Sequence, residues 1–305
     1  MNKLNDIISI DLHIHSIFSD YKESDGYVQN SSIENIDVLL QKLNENNVNM
    51  FAITDHNRFS YELYLAIKNR ISQNLFKNVY KNLPGVEFDV QIEEGKPCCH
   101  IIAIFDDKEE SKLKDIEDTI NNNLIEKQDG FYTRGDFERI LREIGLNVIL
   151  IAHQHKHFDN EEGGPKSLSN SVSDIYDFIR TGYINALEYQ KPSVQGMLIN
   201  SLKKANENVA TIIGSDCHQW EYYPCKDSNA PNRNYVTKIK ALPNFDGLIF
   251  AFTNMENRFN RVQNKNTNII RSIKFDSNEI LLSNGINAII GDNGSGKTFL
   301  LEFLN

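Results

Sequence analysis

The sequence predicts an α/β protein in which β-strands alternate with amphipathic helices. Short runs rich in β-branched residues recur along roughly the first 220 residues, and segments with apolar residues at helical spacing separate them. Histidines and carboxylates stand where these runs begin or end. Such alternation is typical of parallel βα units, arranged either as a barrel or as an open sheet.

The predicted elements follow one another in a regular order. Ser32 is expected to cap the first helix, and Gly145 is expected to end a later one. Residues 106–130 are charged and rich in asparagine, which indicates a solvated insertion or an exposed helix. The predicted strands are 7–15, 50–54, 85–90, 99–105, 148–152, 184–189 and 210–215. The predicted helices are 33–43, 61–71, 137–144, 173–180 and 198–206.

The composition is that of a folded protein without a strongly basic surface. The 305 residues include 32 Lys and Arg against 42 Asp and Glu, a net charge of −10. An acidic chain has no broad side-chain field for nucleic acid or anionic lipid, so phosphate binding would need another source of positive charge. No apolar run approaches the roughly 20 residues of a membrane helix. Four cysteines make no disulfide framework, and the expected compartment is the cytoplasm.

The composition changes after residue 223. Residues 224–245 carry three of the seven prolines and many asparagines, which indicates a linker, and a short helix is expected at 245–252. A second β-rich stretch follows at 273–282. We therefore predict a first domain at 1–225, a connector with a short helix at 226–270, and the beginning of another domain at 271–305.

All eight histidines lie at the ends of predicted strands. His13 and His15 are two residues apart on one strand, so both side chains project from the same face. Asp216 and His218 repeat this spacing, and Glu87 places a carboxylate inside an apolar strand. A lone His-x-His is usually only a polar strand face. The joint pattern instead indicates a multinuclear site, because imidazole and carboxylate together are the ligands of Zn²⁺, Mn²⁺ or Fe.

The ordered strings DLHIHSIFSD, ITDHN, GVEF, CCHIIAIF, LIAHQH and GSDCH resemble the motif series of the PHP (polymerase and histidinol phosphatase) family of metal-dependent phosphoesterases. The resemblance covers about residues 7–220. It implies a distorted (β/α)7 barrel with a trinuclear site holding two to three Zn, Mn or Fe ions. The implied ligands are His13, His15, Glu87 and Asp216 for one metal; Asp20, His56 and His218 for a second; and His100, His153 and a bridging Glu87 for the third.

The register of the fifth motif is ambiguous. The family usually has proline after the histidine, whereas this chain has His153, His155 and His157 at alternate positions. We assign the ligand to His153 because it directly follows the apolar strand. His155 is a candidate for a substrate contact. The resemblance requires no protein nucleophile, since water bound by the metals would attack phosphorus.

Three neighbours of the predicted ligands have open roles. Asp55 could orient His56 or simply cap a turn, and Asp11 leaves the same choice. Cys217 stands between two predicted ligands and is expected to point into the core.

A phosphate-binding loop is predicted near the carboxyl end. Residues 291–298 fit the pattern G-x-x-x-x-G-K-[ST] between an apolar run and a helix-like segment, and this NGSGKT form resembles ABC-type ATPases of the SMC kind. The resemblance implies ATP with Mg²⁺ as ligand and a homodimer partner. Because only the start of such a domain is present, we expect a longer protein with a completed ATPase, as in the TrlF-like group. The implied binding residues are Gly291, Asn293, Gly294, Ser295, Gly296, Lys297 and Thr298.

The main hypothesis is a metal-dependent phosphoesterase acting on nucleic acid or a nucleotide and coupled to an ATPase. A small-molecule phosphatase of the histidinol-phosphate type is the alternative enzyme. A metal-stabilised interaction module of an ATPase machine, without catalysis, is the third possibility.

Overall fold

The computed structural model describes residues 7–23, 26–95, 98–154, 183–189, 192–229, 236–259, 270, 272–275, 278–282 and 288–304. The chain divides into two compact units. The larger comprises Ile7–Asn260, and the smaller comprises Met1–Asp6 with Arg261–Asn305. No helix in the described ranges has the length and apolarity needed to cross a membrane.

The larger unit alternates strands and helices, as the periodicity predicts. Its strands are β1 (Ile8–Ile14), β2 (Met50–Ile53), β3 (Lys81–Gln91), β4 (Cys99–Phe105), β5 (Tyr132–Thr133), β6 (Val148–Gln154), β7 (Ala186–Tyr189), β8 (Ala210–Ile212) and β9 (Thr237–Ile239). Its helices are α1 (Ile36–Glu45), α2 (Tyr61–Ser72), α3 (Leu113–Asn122), α4 (Arg134–Ile144), α5 (Pro192–Ala205), α6 (Phe245–Thr253) and α7 (Met255–Arg258). The predicted helix at 173–180 lies outside the described residues.

These strands form one sheet in the order β8-β7-β6-β4-β3-β2-β1-β9, with β5 beside β3. The pairs β1–β2, β2–β3, β6–β7 and β7–β8 are parallel, as expected for βα units. Strand β4 differs, because it runs antiparallel to both β3 and β6. The connection from β3 to β4 is too short for a crossover helix, so the chain has to reverse direction there.

The two ends of this sheet approach each other and nearly close a barrel. Beyond β8, Cys217 forms a parallel bridge with Ile14 at the end of β1. The Asp216 N–H donates to the His13 carbonyl at 2.9 Å, and the His15 N–H donates to the Cys217 carbonyl at 2.8 Å. The predicted ligands on the two segments are therefore joined through backbone hydrogen bonds.

The segment predicted as a connector belongs to the larger unit. Strand β9 pairs antiparallel with the start of β1, where Ile239 lies opposite Ile8. Helix α6 buries Phe245, Leu248 and Phe252 in the same apolar cluster as the interior side chains of β1. Proline and asparagine gave the stretch the composition of a linker, whereas its few apolar residues complete the core.

Helix α3 also differs from the solvated insertion expected at 106–130. Leu113, Ile116 and Ile120 are fully buried at helical spacing, among side chains of β3, β4 and α4. The charged residues of this segment occupy the opposite face. Gly145 ends α4 with a φ of 67°, a left-handed conformation that glycine adopts without strain, as predicted.

The smaller unit contains an antiparallel pair, β10 (Ser272–Phe275) with β11 (Asn278–Leu281), and helix α8 (Lys297–Leu304). The apolar run at 287–291 was expected to form a strand leading into the loop, but no strand is found at its described residues, 288–291. Ile290 is 92% exposed. Within the described residues, no strand lies beside this run to pair with its backbone groups, which accounts for the difference.

Candidate metal centre

Strand ends in the larger unit bring seven of the nine predicted ligands into one buried cluster. The seven form three overlapping groups in which the donor atoms lie within 4.8 Å of one another. The groups are His13 with His15 and Asp216; His15 with His56 and His218; and His56 with Glu87 and His100. Strand β4 begins at the mouth where the parallel strands end, so its reversed direction still places His100 in the cluster.

The first group converges on the Nε2 atoms of two histidines. The Nε2 atoms of His13 and His15 lie 3.1 Å apart. Asp216 Oδ1 lies 3.6 Å from the first and 3.4 Å from the second, and Glu87 Oε2 lies 3.4 Å from both. Asp216 has a φ of 52°, a left-handed conformation that costs energy in a residue with a side chain.

Hydrogen bonds on the far side of these two rings determine which nitrogen carries the proton. His13 Nδ1 lies 3.0 Å from Glu188 Oε1, and an ionised carboxylate can only accept. His15 Nδ1 lies 3.0 Å from Ser19 Oγ, whose own hydrogen is donated to Asp55 at 2.8 Å. Both Nδ1 atoms therefore donate. In its neutral form, each ring presents its Nε2 lone pair to the other ring and to two carboxylates. Burial would lower the pKa of His13, but Glu188, Glu87 and Asp216 raise it well above its usual value, so without a metal this ring holds a second proton among the carboxylates.

Glu87 occupies the middle of the cluster. Its Oε1 lies 2.8 Å from His100 Nδ1, and its Oε2 lies 3.0 Å from His56 Nδ1. Among the described residues, neither Glu87 Oε2 nor His56 Nδ1 has a hydrogen-bond partner, although both atoms are buried. Buried polar atoms are rarely left unsatisfied, so this pair indicates a ligand between or beside them.

The charges of the cluster fit a cation. Burial would raise the pKa of Glu87, but His100, His56 and His13 hold it well below its usual value. Burial likewise opposes ionisation of Asp216, yet Lys226, His13 and His218 keep its pKa well below normal. Burial lowers the pKa of both His15 and His56 to about 3, so these two rings are neutral near pH 7. Neutral imidazoles with ionised carboxylates are the donor set of divalent transition metals.

Two of the nine predicted ligands do not join this cluster in the described part of the chain. Asp20 is exposed, and no contact of its carboxylate with a histidine is found among the described residues. For His153, the backbone pairs with Glu188 across β6 and β7, but its side chain lies outside the described residues. His155 and His157 lie outside them entirely, so the register of that motif stays a prediction.

The open roles of the neighbouring residues are resolved. Asp55 accepts from the Ser16 N–H and from the hydroxyls of Ser16 and Ser19, so it supports His15 through Ser19 and does not orient His56. Asp11 accepts from the Tyr223 hydroxyl at 2.8 Å, which ties β1 to the loop after β8. Cys217 is fully buried, as expected for a core residue.

Three residues of the site were missed by sequence reasoning. Glu188 lies one residue before the end of the apolar strand β7 and is buried against His13, and a carboxylate within an apolar strand is the same signal that pointed to Glu87. Glu23 reaches His218 from a loop, and Lys226 places its Nζ 2.7 Å from Asp216 Oδ2. Loop residues follow no periodicity, so no pattern pointed to the last two.

The predicted phosphate loop lies in the smaller unit. Gly294 and Gly296 have φ values of 80° and 86°, and α8 begins at Lys297. The Lys297 ammonium donates to the carbonyls of Gly291 and Asp292 at 2.6 and 2.7 Å. The turn and the following helix agree with the predicted local structure, and the lysine contacts the loop itself.

Comparisons with known proteins give only distant likenesses. No family model matches the sequence, and no curated protein matches it. A structure from Bifidobacterium adolescentis, assigned as a metal-dependent phosphoesterase, is 13% identical, with a TM-score of 0.45, 78% of this chain covered and 93% of that one. PsfC from Pseudomonas syringae is 16% identical, with a TM-score of 0.43 and coverages of 78% and 83%.

An amidohydrolase from Chromobacterium violaceum, with bound sulfate and no metal, is 15% identical, with a TM-score of 0.37 and coverages of 69% and 87%. At such identities and scores, the three likenesses carry no conclusion about the chemistry of this chain.

Proposed function

We propose that the chain is a metal-dependent phosphoester hydrolase. The observation that carries the proposal is the convergence of lone pairs in the buried cluster. His13 and His15 aim their Nε2 atoms at each other 3.1 Å apart, with carboxylate oxygens within 3.6 Å. Acceptors repel one another in a dry interior unless a proton or a metal ion lies between them, and several ionised carboxylates around two imidazoles favour the doubly charged metal.

The chain's own residues would hold two to three divalent ions. Glu87 would bridge, because its two oxygens face different histidines. Glu188 would keep the His13 ring in one tautomer, and Ser19 with Asp55 would do the same for His15. When bound, Zn, Mn or Fe would supply an activated water and the positive field that an acidic chain lacks.

A phosphoester is favoured over other ester substrates by a lysine at the rim. The side chain of Lys226 is 39% exposed, while its Nζ lies 2.7 Å from a proposed ligand, Asp216. A phosphate bound beside this ligand would meet the ammonium directly. The motif series that resembles the PHP family points to the same substrate class. Nucleic acid or a nucleotide is the proposed substrate, with a small-molecule monoester as the alternative.

Hydrolysis of a chromogenic phosphodiester and a monoester, each with added Mn²⁺ or Zn²⁺, tests the proposal. We expect metal-dependent turnover of at least one ester, and loss of about 100-fold or more in Glu87→Gln. Glu143→Gln, an exposed change on α4, is the matched control and should retain full activity. Preference for the monoester would favour the small-molecule alternative. Metal uptake without turnover of either ester would favour the non-catalytic interaction module.

A second candidate function is ATP binding by residues 291–298. We propose that, in a longer protein that forms a homodimer, this ATP binding is coupled to the hydrolase. The positive φ values of Gly294 and Gly296, followed by a helix from Lys297, support it. We expect this chain to bind a fluorescent ATP analogue weakly and not to hydrolyse ATP. Lys297→Ala should leave phosphoester hydrolysis unchanged. ATP turnover that disappears in this variant would contradict the expectation.

A further inference from the structure

One of the three donor groups in the cluster lacks a carboxylate of its own. His15, His56 and His218 form an all-imidazole group, whereas the other two groups include Asp216 and Glu87. Neutral imidazoles contribute no charge to balance a divalent cation. A metal bound by these three rings would take its remaining ligands from water or from a nearby carboxylate, and a carboxylate would also balance its charge.

Glu23 brings a carboxylate to this group. Its Oε1 lies 2.9 Å from His218 Nε2 and 3.8 Å from His56 Nε2. Among the described residues, Glu23 is the carboxylate that contacts these two rings without contacting His13 or His100. Glu23 could therefore act as a metal ligand for this group without being shared with the other two.

The position of the proton on the His218 ring determines how its contact with Glu23 is interpreted. His218 Nδ1 lies 2.8 Å from the backbone carbonyl of Asp216, which can only accept. The neutral ring therefore carries its proton on Nδ1 and presents a lone pair at Nε2. A lone pair and a carboxylate oxygen face each other at 2.9 Å. Such an approach requires either a second proton on the ring or a cation shared by both atoms.

The loop holds Glu23 in this place. The Lys22 N–H donates to the Ser19 carbonyl at 2.9 Å, and the Glu23 N–H donates to the Asp20 carbonyl at 3.2 Å. The Lys22 ammonium lies 2.8 Å from Asp89 Oδ2, and this ion pair fixes the turn to β3. Asp20, in contrast, follows a short 3-10 helix at Ile17–Ser19 with its side chain exposed.

We propose that Glu23, and not Asp20, is the carboxylate ligand of the divalent metal held by His56 and His218. This inference rests on the metal centre of the proposed function and assigns one of its ligands. It departs from the residue-by-residue family resemblance, which assigns that place to Asp20. The chain reaches the same donor chemistry with a residue three positions later and one methylene longer.

Metal binding by the full chain tests the proposal without relying on activity. Wild type, Glu23→Ala, Glu23→Gln and the matched variant Asp20→Ala would be stripped with a chelator and reloaded with Zn²⁺ or Mn²⁺. Bound metal would be counted by elemental analysis after desalting, and affinities measured by competition with a chromogenic chelator. Circular dichroism of the metal-free variants would establish that each one folds.

We expect Glu23→Ala to lose about one equivalent, or to bind its weakest metal at least tenfold less tightly. Glu23→Gln keeps a neutral oxygen donor and should fall between wild type and Glu23→Ala, and Asp20→Ala should match wild type within about twofold. Loss of an equivalent in Asp20→Ala with full binding in Glu23→Ala would overturn the proposal. Full binding in both variants would overturn it as well.

The failure of the proposed function would look different. Wild type that takes up less than one equivalent after reloading would remove the metal centre itself, and the assignment of Glu23 with it. Wild type that binds two to three metals, beside variants that behave alike, would refute Glu23 as ligand and leave the centre intact.

Discussion

His13 and His15 hold their Nε2 atoms 3.1 Å apart, and in the neutral form of each ring that nitrogen is the one without a proton. Each ring is fixed from behind by a different partner, Glu188 for the first and Ser19 for the second. The surrounding side chains therefore hold the two rings so that both Nε2 atoms face the same point, where a metal ion could bind. Four predictions follow from the way this cluster is constructed and supported.

Metal should stabilise the fold. The cluster brings lone pairs and carboxylates together in a buried place, and a divalent cation relieves their repulsion. With free metal at 100 times Kd, the stabilisation is about 2.7 kcal/mol, which corresponds to a rise in Tm of roughly 5–10 °C for a unit of this size. Differential scanning fluorimetry of stripped protein with and without Zn²⁺ or Mn²⁺ measures it. An unchanged Tm would speak against a buried site.

Removing the partner of His13 should weaken metal binding. Glu188→Ala leaves the Nδ1 proton of His13 without its acceptor, and loss of such a supporting carboxylate typically costs about 10–100-fold in metal affinity. Glu188→Gln keeps an acceptor oxygen and should cost less. Competition with a chromogenic chelator measures both, with Glu143→Gln as the surface control. Equal affinities in all three variants would show that Glu188 does not position the ring.

A methyl group at Gly214 should disturb the same contact. A Cβ built there would lie 2.7 Å from the His13 Cβ and 2.9 Å from Glu188 Oε1, closer than packed atoms allow. Gly214→Ala should cost about 1–3 kcal/mol in unfolding free energy and should weaken metal binding. Gly196→Ala is the matched control, because a Cβ there meets nothing within 4 Å and alanine favours the helix. Urea unfolding curves of the two variants test the contrast.

The metal-free fold should respond to pH through Asp11. Burial raises the pKa of Asp11 from 3.8 to about 6, above its unfolded value. The protonated form therefore contributes stability that is present below about pH 4 and is lost as the pH rises through 6. In Asp11→Asn the group does not titrate, and the Tyr223 hydroxyl can turn to accept from the amide.

The difference in unfolding free energy between variant and wild type should shift in favour of the variant by about 2 kcal/mol from pH 4.5 to pH 7. Urea unfolding of stripped protein at the two pH values measures this shift. A constant difference between the two proteins would show that Asp11 keeps an ordinary pKa in the folded state.

Periodicity was sufficient for most of the fold. Strand Cys99–Phe105 was predicted to the residue, and helix Tyr61–Ser72 within one residue, because both carry a clear apolar pattern. Strand direction was not predictable in the same way. Nothing in the composition of β4 shows whether it runs parallel or antiparallel to its neighbours. Its antiparallel direction was indicated only by the short connection to β3. The linker-like composition of 224–245 likewise concealed β9, whose three residues are too few to show a period.

In the metal-binding cluster too, residues on strand ends could be predicted, whereas residues on loops could not. Residues on strand ends, such as His13 and His218, could be placed because the ends of parallel strands meet at one mouth. Glu23 could not, because the position of a loop side chain depends on turns such as that from Ser19 to Lys22. Helix α3 was concealed for a related reason, since its three buried residues are outnumbered by the charges on its outer face.

The closure of the sheet governs when the cluster can form. His13 stands near the start of the chain, His218 follows about 200 residues later, and β9 with α6 completes the same unit near residue 250. A growing chain therefore presents isolated imidazoles and carboxylates, each a weak ligand, until the late segments reach β1. The proposed metal would therefore be bound only after residue 218 has been made, and a chain ended at residue 225 would present its metal-binding side chains without β9, the strand that pairs with β1.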